Sequence, residues 1–157
     1  MLKPEVLENF YMQEALKQAQ TAFKADEVPV GAVITFQNKI IAKAHNQVEM
    51  LKDPTAHAEM IAITQASNFL ESKWLLDCVL YVTLEPCSMC AGALVLSRIK
   101  RVIYGAKDPK TGACGSVVNI ASDKKFNHQI DVHNGVLAYE CGSLLSEFFK
   151  KKRKNKE

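Results

Sequence analysis

Apolar and polar positions along this 157-residue chain alternate between helical and strand-like spacing. Between Pro4 and Lys24, Val6, Leu7, Phe10, Tyr11, Ala15, Leu16, Ala19 and Phe23 recur near helical intervals, and Pro4 stands where a first-turn proline is tolerated, so the stretch predicts an amphipathic helix. Residues 28–36 (VPVGAVITF) form a β-branched run, QNK a polar turn and 40–45 (IIAKAH) a second run, which together predict a hairpin. Gly31 inside the first strand predicts a close approach of its backbone to something else. The polar segment 46–56 breaks the pattern at Asp53-Pro54, and a helix is expected over about 58–68 with Thr55 as candidate cap.

Residues 77–86 (DCVLYVTLEP) read as a strand buried on both faces, 87–97 as a helix and 101–106 (RVIYGA) as a further strand. A glycine-rich loop, GAKDPKTGACGS, comes next. A last strand is expected over 130–135 and a helix from about 136 into the C-terminal residues. Helices alternating with strands imply a layered α/β sandwich. Without repeat or linker, one domain is expected over 1–149, with a basic tail at 150–157 continuing the last helix.

Composition narrows the class. Apolar residues make up 48% of the chain, enough for a proper core, yet no run approaches the ~18 apolar residues of a membrane span. The N-terminal residues lack the apolar stretch of a secretory signal, so a soluble cytoplasmic protein with no membrane partner is expected. Five cysteines, two of them spaced as metal ligands, do not resemble a disulfide framework and fit a reducing compartment. The last eight residues hold six Lys or Arg and one acid, whereas the other 149 hold 14 basic and 16 acidic side chains. The tail is a cationic arm suited to a polyanion such as RNA; its other reading is a solvated terminus with no specific role.

Two short stretches carry the chemistry: His57-Ala58-Glu59, and Pro86-Cys87-Ser88-Met89-Cys90. One imidazole and two thiolates are three protein ligands for a tetrahedral ion, leaving the fourth position to water as a catalytic zinc site requires. Cys87 and Cys90, three apart, share one side of their helix, and the positive helix N-terminus favours thiolate there. His57 and Glu59, two apart, address one ion only from a helix tip. A redox CxxC pair has no need of an upstream His and Glu. A closed structural site would need a fourth ligand from Cys78, Cys114, Cys141, His45, His128 or His133, none at short spacing. The glycine loop has no Gly-Lys-Ser/Thr triplet, so Walker-type phosphate binding is rejected and no nucleotide cofactor is expected.

His57-Ala58-Glu59 with Pro86 to Cys90 resembles the signature of zinc-dependent nucleobase deaminases. The flanking blocks EVPVGAV (27–33), HN (45–46), DPTAHAE (53–59), LYVTLEPCSMCAGAL (80–94), SRI (97–99), KTGACGS (110–116) and LLSEFF (144–149) bring the whole chain close to the bacterial tRNA-specific adenosine deaminases. That resemblance implies a three-layer α/β/α sandwich around a mixed five-stranded sheet of the cytidine deaminase-like kind. It further implies one Zn2+ per chain, a homodimer, and conversion of the wobble adenosine of a tRNA anticodon loop (position 34) to inosine. Zinc bound by His57, Cys87 and Cys90 lowers the pKa of its water toward about 7, and Glu59, not a ligand, shuttles protons to N1 and the departing amine.

The same resemblance assigns substrate contacts to Asn46, the backbone at Ala58, and Glu85. The other reading of Asn46 is a turn residue closing the second strand. Val28, Pro29 and Val30 resemble an apolar wall for a splayed base and could equally be core. Asp108, Lys110 and the helix end from Phe148 through Phe149 to Arg153 resemble the family's RNA-facing surface. Cys114 would be a reactive spare thiol if exposed, whereas His128 and His133 read as structural or surface groups. A rival function is a zinc deaminase of free guanine or a cytosine compound; a more distant one is a zinc-stabilised RNA-binding module without catalysis.

Overall fold

The structure is a computed structural model that describes residues 2–156. Helix α1 (Pro4–Lys24) starts at the expected proline and buries Tyr11, Met12, Ala15, Ala19 and Ala22. The alanines let it lie close on strand β1 (Gly31–Phe36), where a Cβ on Gly31 would stand 2.0 Å from the Ala15 carbonyl oxygen and 2.4 Å from the Ala19 nitrogen. Gln37 and Asn38, both at positive φ, turn the chain into β2 (Lys39–His45), the two-residue turn that matches strand twist. Tyr11 fastens this hairpin to α1 by donating its hydroxyl to the Asn38 carbonyl.

The next elements are a one-turn helix α2 (Val48–Leu51), then α3 (Ala58–Leu70), β3 (Cys78–Leu84), α4 (Ser88–Leu96), β4 (Arg101–Ala106), β5 (Asp131–Asn134) and α5 (Ala138–Asn155). The sheet order is β2-β1-β3-β4-β5. Strand β1 runs antiparallel to β2 and β3, while β3, β4 and β5 are parallel, so the sheet is mixed.

Alternation along the strands divides the core into two layers. On one face Val33, Tyr81 and Ile103 meet Tyr11, Met12 and Ala15 of α1 and Cys141 of α5. On the other, Ile34, Leu80, Val82 and Val102 meet Ala62 and Ala66 of α3 and Leu94 of α4. The β4-to-β5 connection contains no helix; it buries Ala113, Ala121 and Ile130 on the α3/α4 face. The result is the expected three-layer sandwich on a five-stranded mixed sheet.

The expected first strand is too long. Val30 donates to the Val28 carbonyl at 2.8 Å, a tight turn that keeps residues 28–30 out of the ladder. Thr55 does not cap α3: its hydroxyl donates to Asp53 at 2.7 Å, and His57 holds the N-cap position. No helix among the described residues is long and apolar enough to cross a membrane.

Candidate active site

Two chain segments converge at the C-terminal edge of the parallel β3–β4 pair, where open α/β sheets place their ligand sites. Strand β3 ends at Leu84, and two residues later the chain turns into α4, with Cys87 at its N-cap and Cys90 in its first turn. His57 sits at the N-cap of α3 with extended backbone, so both helices point their N-termini at one place. His57 Nδ1 lies 3.5 Å from Cys90 Sγ and 3.7 Å from Cys87 Sγ. A tetrahedral zinc, with bonds of about 2.3 Å to sulfur and 2.0 Å to nitrogen, sets nitrogen-to-sulfur separations of about 3.5 Å, so these three side chains fit the ion. Among the described residues no fourth His, Cys, Asp or Glu joins the cluster.

The electrostatics follow from crowding. The hydrogen bond from Cys90 to the Cys87 sulfur, reinforced by His57, holds the Cys87 thiol down to about 4. That same shared proton pushes Cys90 up, and His57 is raised by its hydrogen bond to Cys87. Two sulfurs and an imidazole thus share protons that a cation would displace. Glu59, on the first turn of α3, is 4% exposed and lines the cavity beside the cluster. Burial lifts its carboxyl to about 7, partly opposed by its own backbone amide and by His57. A carboxyl near 7 can both accept and return a proton at neutral pH.

In front of the cluster opens a cavity of 1040 Å³, bounded by Val28, Val30, Asn46, Asp108, Thr111 and Phe149 among others. Val28 and Val30 face the cavity, whereas Pro29 is buried and off its lining. Asn46 faces the cavity too, yet its Oδ1 accepts the Ala58 amide at 2.8 Å. Ala58 is fully buried and its N–H is the one that Asn46 accepts. Asp108 Oδ1 accepts the backbone amides of Lys110 and Thr111, and its Oδ2 accepts the Thr111 hydroxyl at 2.7 Å.

Two buried acids flank the cavity, both 2% exposed. Glu85 accepts hydrogen bonds from the amides of Asp108, Cys114 and Ser116, so its carboxylate is committed to the glycine loop. Glu27, which sequence reasoning passed over, accepts the Glu49 and Met50 amides at 2.9 and 2.8 Å and thereby holds α2 at the cavity rim. The sole signal for it was an acid directly before the apolar run at 28–36. Cys114 is 7% exposed, and burial together with the Glu85 charge pushes its thiol up to about 12, so it is not the reactive thiol that exposure would have made it. His128 donates its Nε2–H to the Ile99 carbonyl, and His133 pairs with Asp131, both away from the cluster.

A buried carboxylate beside a His/Cys/Cys cluster, at the sheet edge of a cytidine deaminase-like fold, defines a deaminase. The family model of MafB19-like deaminases matches residues 8–153. The tRNA-specific adenosine deaminase of Bacillus subtilis (strain 168) is 49% identical over 150 residues, 96% of this chain and 93% of that protein. Its counterpart from Aquifex aeolicus (strain VF5) is 53% identical over 146 residues, 93% of this chain and 96% of that one. A solved structure from work on A-to-I editing by tRNA:A34 deaminases at the wobble position superposes with a TM-score of 0.84 at 43% identity, over 87% of this chain and 99% of its own. A guanine deaminase from Nitrosomonas europaea superposes at 0.78 with 25% identity, over 94% and 85%. The chain belongs to the tRNA-specific adenosine deaminase family of MafB19-like deaminases.

Proposed function

We propose that this enzyme hydrolyses the wobble adenosine of a tRNA anticodon (position 34) to inosine in the cytoplasm, using one zinc ion per chain held by His57, Cys87 and Cys90. The observation that carries this reading is the convergence of those three ligand atoms beside the buried Glu59, in a chain 49–53% identical to tRNA-specific adenosine deaminases over more than nine-tenths of its length. Zinc, when bound, supplies Lewis acidity that makes hydroxide available from water near neutral pH. Glu59 takes a proton from the attacking water, delivers one to N1 of the adenine as oxygen adds to C6, and passes one to the amine that leaves as ammonia. Its raised pKa suits both halves of that cycle.

Asn46 has its Oδ1 fixed by Ala58, so its Nδ2 is the donor left to offer the flipped nucleoside. Val28 and Val30 supply the apolar surface under the base, and Phe149 a partly exposed ring at the rim. The active species is a homodimer by family resemblance. Turnover on an anticodon stem-loop with adenosine at its first anticodon position, compared with free adenosine and free guanine, tests the reading. Inosine from the stem-loop alone is expected. Preferential release of ammonia from guanine would transfer the protein to the free-base deaminases.

A further inference from the structure

Glu85 directly follows strand β3, is 2% exposed, and has no part in the proton chemistry above. All of the hydrogen bonds to its carboxylate come from one loop. Oε1 accepts the Asp108 amide at 3.0 Å and the Ser116 hydroxyl; Oε2 accepts the amides of Cys114 and Ser116 at 3.0 and 3.1 Å. Gly112 passes directly over the carboxylate, where an added Cβ would stand 2.4 Å from Glu85 Cδ and 2.5 Å from Oε2. The two residues after Glu85 hold the same loop: the Pro86 carbonyl accepts the Ala113 amide at 2.8 Å, and Cys87 pairs with Gly112 in a β-bridge. A carboxylate, a carbonyl and a metal-cluster cysteine, consecutive in the chain, therefore grip the loop over 108–116.

That loop is the partition between two spaces. Asp108 and Thr111 face the catalytic cavity, and the loop also bounds an adjoining groove of 750 Å³ against α5, lined by Lys107, Lys110, Lys150 and Arg153. A loop without a helix or ladder holds one shape only if its backbone donors are satisfied internally, and burying a carboxylate is tolerated only when it is fully hydrogen-bonded. Glu85 meets both demands at once.

We propose that Glu85 is a positioning residue: its carboxylate is the internal anchor that keeps the loop over 108–116, as the RNA-facing wall, in register with Cys87, and it does not contact the substrate. The proposal rests on the RNA reading of the site. Ordering the loop on folding removes an entropic cost from RNA binding, so loosening it weakens the bound ground state and transition state alike. Glu85→Gln puts an NH2 group against backbone donors; Gly112→Ala drives a methyl group into the carboxylate; Ser116→Ala deletes one bond and leaves the rest.

The experiment measures kcat and KM on the anticodon stem-loop for zinc-loaded wild type and the three variants, with zinc content, melting temperature and amide exchange at Cys114 and Ser116. Glu85→Gln and Gly112→Ala should raise KM about tenfold or more with kcat within about threefold, and Ser116→Ala should move KM the same way by less. Zinc content should hold while the Cys114 and Ser116 amides exchange faster in Glu85→Gln. A fall in kcat at unchanged KM would put Glu85 on the substrate, and zinc loss or general melting in all three variants would make it merely structural; either overturns the proposal. Unchanged KM with unchanged exchange overturns it as well. Wild type that makes no inosine would sink the RNA reading instead, and the exchange arm would still judge the anchor.

Discussion

The Oδ1 of Asn46 accepts the backbone N–H of Ala58 at 2.8 Å, so the first amide of α3 is capped by a residue from the end of the hairpin rather than by its own N-cap. The N-cap residue is His57, whose ring is turned to the two sulfurs and makes no capping bond. One asparagine thereby frees a histidine for metal chemistry, and the pocket and turn readings of Asn46 describe two ends of the same side chain. Asn46→Asp retains the acceptor and should keep the melting temperature near wild type, whereas Asn46→Ala should lose about 1 kcal/mol of stability. Both should lose turnover because the Nδ2 donor is gone. Denaturation curves alongside inosine yield check this pair.

Removal of the Glu59 carboxylate separates catalysis from metal binding. Glu59→Ala is expected to retain zinc at one ion per chain and lose turnover by roughly 10²- to 10⁴-fold, the usual reach of a general acid–base group. Metal analysis and single-turnover assays on the same preparation decide it. Zinc lost together with activity would make Glu59 structural.

In metal-free protein the buried Glu59 carboxyl titrates near 7 against 4.5 for the free group. The folded state therefore binds more protons than the unfolded state between those values, and stability falls as pH rises through that window. Glu59→Gln should remove this loss: the variant is more stable than wild type above about pH 7, and the advantage vanishes below about pH 4.5. Urea midpoints across pH in the presence of a chelator measure it.

Gly31 is set by the packing of α1. Gly31→Ala would place a methyl carbon 2.0 Å from the Ala15 carbonyl oxygen, backbone that cannot yield without lifting the helix from the sheet. A loss of about 2–4 kcal/mol in unfolding free energy is expected, as for other overpacked cores.

The C-terminal end of α5 is tied to the cavity rim by Lys152, which bonds Asp26 at 2.6 Å and lies over the Phe148 ring. Deleting residues 150–157 should weaken RNA binding and flatten its salt dependence by about one log–log unit per phosphate contact removed. A truncated protein with unchanged affinity and slope would show that the tail does not touch phosphate.

Local pattern made most of the fold legible. The 21-residue α1, the hairpin, the continuous β3 run and the CxxC helix each carry their periodicity in sequence, and the His57/Cys87/Cys90 triad was legible from ligand chemistry together with the resemblance to the deaminase signature. What escaped was held by distant partners. Helix α2 is four residues long and depends on Glu27, 22 and 23 residues upstream of the amides it accepts. Glu85, which lines the cavity as the resemblance implied, draws its donors from 23 to 31 residues downstream, a set of partners that no local pattern in the sequence displays. Thr55, a good cap by residue type, was claimed by Asp53 two positions away.

The central claim is that one imidazole and two sulfurs hold zinc with a fourth position left to solvent, and X-ray absorption at the zinc edge of the loaded protein addresses it directly. The prediction is two sulfurs at about 2.3 Å and two lighter nitrogen or oxygen neighbours at about 2.0 Å, with one imidazole scattering signature. A third sulfur, a second imidazole, or a protein that takes up no zinc at all would contradict the account.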